Sequence, residues 1–316
     1  MSVPRRFLGN LSVCPIGFGT WGLGGVQEGA PDAYGPTDDC QSILALRRSL
    51  ELGVNFFDTA GLYGRGHAEK LLGKLGLGAH YVATKAGYTN AAGEQNFSYD
   101  YLRSEIEQSL RRLQRGRLDL FQLHDPDPQL FAGPLPDTLR KLRGAALFDH
   151  LGVSVRSPRD ALEVLGRAHV DSIQLNLSLV DQRAVDDGVL ARCEEAGVAV
   201  LARTPLCFGF LTARIEDQFP PGDHRRRWSM ARRQAWIRVR DRMLEVAPAR
   251  FSGQPVQLAL AFCLAFPQIA LTIPGMLTPS QVEENLAVLD LEPMTTSERD
   301  GLRSIYSEFR ELLASP

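Results

Sequence analysis

Four polar residues, Asp58, Tyr63, Lys85 and His124, each sit at or just beyond the end of a short apolar run. Asp58 ends N-F-F-D, and Tyr63 follows in G-L-Y-G. Lys85 ends Y-V-A-T-K, and His124 ends D-L-F-Q-L-H. A free phenol titrates near pH ~10, so a tyrosine alone is a poor proton donor at neutral pH. An ammonium beside it stabilises the phenolate and lowers that value. Lys85 can supply the charge, Asp58 can hold Lys85, and His124 can hydrogen-bond the same substrate oxygen. Together they could protonate an oxygen as negative charge builds on it. Each residue alone also has an ordinary reading, as a helix cap, loop filler or solvated strand end. Four together at strand ends favour one shared site.

Such a site needs elements that converge. Apolar strand candidates recur at Pro15–Gly19, Val54–Asp58, Tyr81–Lys85, Leu118–His124, His150–Ser154, Ser172–Leu175, Val198–Ala202 and Ile269–Ile273. Between them run amphipathic stretches. The clearest places Leu102, Ile106, Leu110 and Leu113 on one helical face, with Ser98 as N-cap. Others begin near Thr37, Arg65, Ser157, Arg183, Pro255 and Pro279. Ahead of them, R-F-L-G-N-L-S-V predicts a hairpin turning at Gly9-Asn10. The alternation predicts a (β/α)8 TIM barrel with an N-terminal β-hairpin, its strand ends meeting at one open face. An open doubly wound sheet is the alternative that local pattern leaves standing. No linker divides residues 1–316, so a single barrel domain is expected. The irregular stretch from Cys207 to Arg227 reads as an extended loop at the C-terminal face that shapes a substrate pocket.

Composition sets outer bounds. The chain has 316 residues and a formal net charge of −2, which gives no sign of nucleic-acid binding. Five scattered cysteines without a C-x-x-C pair argue against a disulfide framework or a zinc site, and fit a reducing cytoplasm. No metal ligand set is apparent. The apolar run Leu258–Phe266 is too short to span a bilayer, and no signal peptide is evident, so no membrane role is expected. Arg225, Arg226, Arg227, Arg232 and Arg233 read as a solvated helix face, with attraction of an anionic substrate or a cofactor phosphate as the second reading. Asp125 and Asp127 lie in a proline-rich turn and read as structural. No strand–G-x-G-x-x-G–helix unit with a downstream acid occurs, so a Rossmann domain is not expected.

From end to end the chain resembles the aldo-keto reductase family. The matching segments include G-F-G-T-W-G-L-G-G, F-F-D-T-A-G-L-Y-G-R-G-H-A-E-K-L-L-G, Y-V-A-T-K, D-L-F-Q-L-H-D-P-D-P, A-R-T-P-L and I-P-G-M-L-T-P-S-Q-V-E-E-N. The second is the most specific. The resemblance implies a catalytic tetrad of Asp58, Tyr63, Lys85 and His124 and a nicotinamide cofactor, NADP with NAD possible. It implies Gly19, Thr20 and Trp21 at the nicotinamide end, and Ser154 and Gln174 on the carboxamide. Arg203, Thr204, Pro205 and Leu206 would follow the pyrophosphate, with Gly209 and Leu211 nearby. Thr278, Gln281, Glu284 and Asn285 would hold the adenosine half, where Pro279 opens a helix whose N-terminus suits phosphate.

The chain departs from the family's pattern at three places. Val155 stands where asparagine is common, and Leu177 stands near where an aromatic often stacks. Met276, Leu277 and Thr278 stand where a basic residue often meets the 2′-phosphate. The expected activity is reduction of an aldehyde, ketone or sugar carbonyl, or the reverse oxidation of an alcohol. The alternative is a regulatory protein that senses cofactor without turnover. A barrel isomerase or lyase would need a metal cluster or carboxylate pair that is not found. The partners implied are small molecules, and the sequence specifies no oligomeric state.

Overall fold

A computed structural model describes residues 3–26, 34–90, 92–213, 219 and 222–314. Two short strands, β1 (Arg6–Leu8) and β2 (Leu11–Val13), pair antiparallel around Gly9, which takes a left-handed φ of 55°. The hairpin thus forms where the Gly9-Asn10 turn places it.

The next eight strands form one parallel sheet in chain order. They are β3 (Phe18–Gly19), β4 (Phe56–Asp58), β5 (Tyr81–Ala86), β6 (Leu118–His124), β7 (Phe148–Ser154), β8 (Ser172–Asn176), β9 (Ala199–Arg203) and β10 (Ile269–Ile273). The first and last close on one another. Thr272 N donates to Pro15 O at 2.8 Å, Gly17 N to Thr272 O at 2.9 Å, and Gly19 N to Pro274 O at 3.0 Å. The result is the expected (β/α)8 barrel. β3 and β4 are shorter than their apolar runs, and Pro15–Gly17 meets β10 through the isolated bridge of Ile16 with Thr272. The seam is tight: a Cβ on Gly19 would lie 2.9 Å from Ile273 O, so glycine is required there.

Helices α1 (Asp39–Glu51), α2 (His67–Leu75), α3 (Tyr99–Leu113), α4 (Leu135–Gly144), α5 (Pro158–Arg167), α6 (Arg183–Asp186) and α7 (Val189–Glu195) fill the crossovers as far as β9. Before β10 come α8 (Met230–Val246) and α9 (Pro255–Leu264), and after it α10 (Pro279–Leu286), α11 (Thr296–Glu308) and α12 (Arg310–Ala314). The α3 stripe of Leu102, Ile106, Leu110 and Leu113 is buried as its spacing predicts. Ser98 stands at the N-cap but its side chain caps nothing; instead Asn96 Oδ1 accepts from Ser98 N at 2.9 Å. Helices α4, α8, α11 and α12 lie outside the expected set. The arginine-rich α8 has a weak apolar stripe, so pattern alone gives it little signal. The run from Pro255 to Cys263 is buried on all sides in α9. No helix among the described residues is long and apolar enough to cross a membrane.

The hairpin seals the N-terminal end of the barrel. Leu8, Leu11 and Val13 pack with Phe56, Ala83, Leu120, Leu201 and Leu271 in a cluster inside the strand ring. Arg6 fastens the hairpin in place: its guanidinium donates to Leu264 O at 2.5 Å, Ile269 O at 2.6 Å and Phe266 O at 3.3 Å. Removing it leaves three carbonyls short of a charged donor. Arg6→Ala should lower stability by about 1–3 kcal/mol. A lower urea midpoint with an unchanged m-value is the expected readout, and an unchanged midpoint would show the latch contributes nothing.

Candidate active site

Lys85 organises the open end of the barrel. It stands on β5 with its side chain almost fully buried, and its ammonium donates to three oxygens. These are Asp58 Oδ1 at 2.5 Å, Thr59 O at 3.0 Å and Tyr63 OH at 3.1 Å. Asp58, at the end of β4, is equally buried. Its second oxygen accepts from Gln174 Nε2 at 2.8 Å and Gln122 Nε2 at 3.0 Å. The carboxylate therefore has donors on both oxygens, as a buried charge requires.

The electrostatics follow from this packing. Burial works against the charge of Lys85, but Asp58 and then Tyr63 hold its pKa above the ordinary lysine value. Burial pushes the Tyr63 phenol up, and Lys85 is the largest influence in the other direction. The expectation of a net lowered phenol is thus not met by the protein groups alone: desolvation outweighs the ammonium. The pair rests as charged lysine and neutral, protonated tyrosine, which is the form that can give a proton.

His124 ends β6 beside them. Its ring meets Tyr88 edge-on at 4.8 Å between centroids and Tyr63 at 6.2 Å. Burial pushes its pKa down to about 3; Asp125 opposes this, while Lys85 and Arg203 add to it. The imidazole is therefore neutral at physiological pH and can serve as a hydrogen-bond donor. A folded pKa below the ~6.5 of an unfolded histidine means that the unfolded chain binds more protons in that interval. The associated stability is complete above pH ~6.5 and is lost as pH falls toward ~3. His124→Gln should therefore lose less stability than the parent between pH 7 and pH 4. Parallel pH dependences of the two urea midpoints would contradict the buried neutral state.

These groups line one cavity of about 890 Å³ at the C-terminal strand ends. Asp58, Tyr63, His124, Gly19, Trp21, Gln174, Arg203, Thr204, Pro205, Leu206, Gly209, Gln281, Glu284 and Asn285 all border it. Lys85 lies just beneath, reached through Tyr63. Four other expected residues are placed differently. Thr20 is fully buried and gives both its N–H and its hydroxyl to Asp58 O. Ser154 Oγ donates to Asp125 Oδ1 at 3.1 Å, and Leu211 is wholly in the core. Thr278 caps α10 by accepting from Gln281 N. Gln174 borders the cavity, yet its amide nitrogen is held by Asp58 and Gln122 Oε1. Met276, read as a position facing phosphate, is buried in the core, whereas Leu277 does line the cavity.

Other functional candidates escaped the sequence reading. Gln122 lies two residues before His124 on the same strand, and the period of two turns both toward the barrel interior. A polar residue inside L-F-Q-L-H was the available signal. Asp125 faces the cavity rather than serving as a purely structural turn residue, while Asp127 caps the short helix Pro128–Ala132. The basic cluster divides. Arg225 and Arg227 come from a 3-10 turn, His224–Arg227, and border the cavity; Arg232 and Arg233 belong to α8. Trp21, Tyr34, Phe208 and Trp228 surround the ring of His224 at 4.4, 4.7, 5.1 and 5.4 Å between centroids.

A dinucleotide fits the donor set of this cavity. The amide nitrogen of Asn285, a buried residue on the cavity wall, has no hydrogen-bond partner among the described residues. The same holds for Arg203 Nε. Both are polar donors held at a wall of the site.

Comparison with known proteins places the chain in one family. The model of the Aldo/keto reductase family matches residues 15–307. The chain is 32% identical over 311 residues to the L-galactose dehydrogenase of Arabidopsis thaliana, covering 92% of this chain and 90% of the relative. It is 28% identical over 303 residues to the NADH-specific methylglyoxal reductase of Escherichia coli, covering 89% and 91%. The holo form of the aldo-keto reductase AKR11C1 from Bacillus halodurans superposes with a TM-score of 0.78 at 27% identity, over 96% of each chain. The chain belongs to the aldo-keto reductase family of nicotinamide-dependent oxidoreductases.

Proposed function

We propose that this barrel reduces an aldehyde, ketone or sugar carbonyl to the alcohol, or runs the reverse oxidation, with Tyr63 as the proton donor. The observation that carries the reading is the placement of Lys85: 3.1 Å from the Tyr63 hydroxyl, 2.5 Å from Asp58, at the floor of the cavity. A bound nicotinamide would supply or accept the hydride. The protein's part is the oxygen. Tyr63 gives its proton to the carbonyl oxygen as negative charge develops there, and the ammonium of Lys85 stabilises the resulting phenolate. Asp58 keeps Lys85 aimed and charged. The neutral ring of His124 hydrogen-bonds the carbonyl and fixes its direction. In the reverse reaction the Tyr63 phenolate accepts the alcohol proton. A regulatory role without turnover is disfavoured by the intact set of four residues.

For the cofactor we infer that NADPH binds more tightly than NADH, by a narrow margin. Leu277 puts no charge on the cavity wall, which reduces the attraction for a 2′-phosphate. Arg225 and Arg227 on the same wall supply part of it. Arg225 is held by Asp223 at 2.6 Å and lies 4.2 Å from the Phe219 ring centroid, so its place is fixed. That a relative is named NADH-specific fits a margin set by few residues.

Two measurements test these readings. Tyr63→Phe should lower kcat by about a hundredfold or more while the cofactor still binds, the loss expected when a general acid is removed. Lys85→Met should be at least as damaging, with the pH–rate profile shifted because the phenolate loses its counter-charge. Near-normal turnover by the phenylalanine variant would end the mechanism. Fluorescence titration with both reduced cofactors should favour NADPH, and Leu277→Arg should widen the ratio about tenfold or more, the worth of a charge-assisted hydrogen bond to phosphate. Tighter binding of NADH by the parent protein would overturn the cofactor preference and leave the reductase reading intact.

A further inference from the structure

The carboxylate of Asp125 stands on the cavity wall immediately after His124, and the chemistry above does not use it. Its setting is built rather than incidental. Asp125 takes a left-handed φ of 52°, a conformation that side chains other than aspartate and asparagine seldom adopt. Three hydrogen bonds hold it there. Asp125 N donates to Ser154 O at 3.0 Å. The amide of Gln95 spans the two carbonyls of the turn, reaching Asp125 O at 3.0 Å and His124 O at 3.1 Å. Strained backbone kept in place this way is found where a side chain must point somewhere specific.

The carboxylate has acceptor capacity to spare. Ser154 Oγ donates to Oδ1 at 3.1 Å, and Tyr88 OH lies 3.3 Å from Oδ2. An ionised carboxylate offers about four acceptor positions, so each oxygen can take another donor. Arg203 Nη2 gives one proton to Val155 O at 2.9 Å and stands 3.9 Å from Oδ1, too far for a direct hydrogen bond. An acceptor and a donor thus stand side by side on the wall next to His124. A hydroxyl group, which gives one hydrogen bond and takes another, suits that gap.

We propose that Asp125 is the specificity-determining residue of this cavity, and that with Arg203 it binds a hydroxyl carried next to the reacting carbon. The substrate is then a hydroxy-aldehyde, hydroxy-ketone or polyol rather than a simple alkyl carbonyl. The inference rests on the reductase reading and narrows it. The discrimination comes mainly from rejection: an alkyl chain against Asp125 would strip the carboxylate of water and return no donor. The Tyr88 ring, edge-on to His124, gives an apolar surface for the carbon skeleton of the same substrate.

Glyceraldehyde and propanal have the same carbon number and differ by two hydroxyls, one of them next to the carbonyl carbon, and the change of their ratio on substitution of Asp125 reads the effect. In the parent protein kcat/KM should favour glyceraldehyde. In Asp125→Asn, which tolerates the same backbone, that preference should fall about tenfold or more. Asp125→Gly, which relieves the backbone strain and deletes the carboxylate, should abolish it and guards against a folding artefact in the first variant. Cofactor affinity, read by fluorescence titration, should stay within about twofold in both variants. An equal loss on both aldehydes overturns the inference, as does a selective loss of cofactor affinity, which would assign Asp125 to an amide of the cofactor. A parent enzyme active on propanal with no preference for glyceraldehyde overturns this inference alone. A parent enzyme inactive on both aldehydes also overturns this inference, and the reductase reading beneath it falls only if ketones, sugars and alcohols are not turned over with either cofactor.

Discussion

The buried ion pair of Lys85 and Asp58 is the constraint on which the rest of the site depends. Taking two charges out of water costs several kcal/mol per ion, and mutual attraction offsets this only when the remaining hydrogen-bonding positions are filled. Here they are filled from every side. Gln122 and Gln174 serve one carboxylate oxygen, and Thr59 O and Tyr63 OH take the other ammonium protons. Those partners come from the loop after β4, from β6 and from β8. They meet at one depth because the barrel's register brings them there: Lys85 is opposite Gln122, and Gln174 is opposite Ser154. A one-residue slip in any of these strands would send its polar residue to the helix-facing side and strand a charge. The ion pair and the barrel geometry therefore specify each other.

Above that layer the molecule changes character. The strand ring relies on glycine where chains approach closely, but the loops at the open face hold non-glycine residues at positive φ. Asp125, Thr204, Cys207 and Phe208 all do so. Thr204 and Phe208 border the same cavity as Asp125. Strain gathers where side chains must be aimed, and the relaxed ring below sustains it.

This division explains what could be read from the sequence. Strand ends carry their chemistry in plain view, since an apolar run stopping at a polar residue is a local pattern. All eight barrel strands and the convergence of Asp58, Tyr63, Lys85 and His124 follow from it. The resemblance to a known family supplied the residues expected to hold a cofactor, and most of them do border the cavity. Long-range partners were harder. Nothing near Gln174 in sequence announces that its amide will go to Asp58, a residue 116 positions away. Nor does H-D-P-D show that Asp125 turns into the cavity, because its direction is set by Gln95 and Ser154. The arginine cluster misled for a related reason: a run of like residues says nothing about the helix boundary that splits it between Arg227 and Met230.

The small hairpin at the start of the chain has a consequence for traffic. Leu8, Leu11 and Val13 stopper the lower end of the strand ring, so among the described residues the cavity beside Tyr63 opens toward the C-terminal strand ends. Any ligand of this cavity enters a blind well, and the well's depth is fixed by a plug made at the opposite end of the barrel, by residues that do not border it.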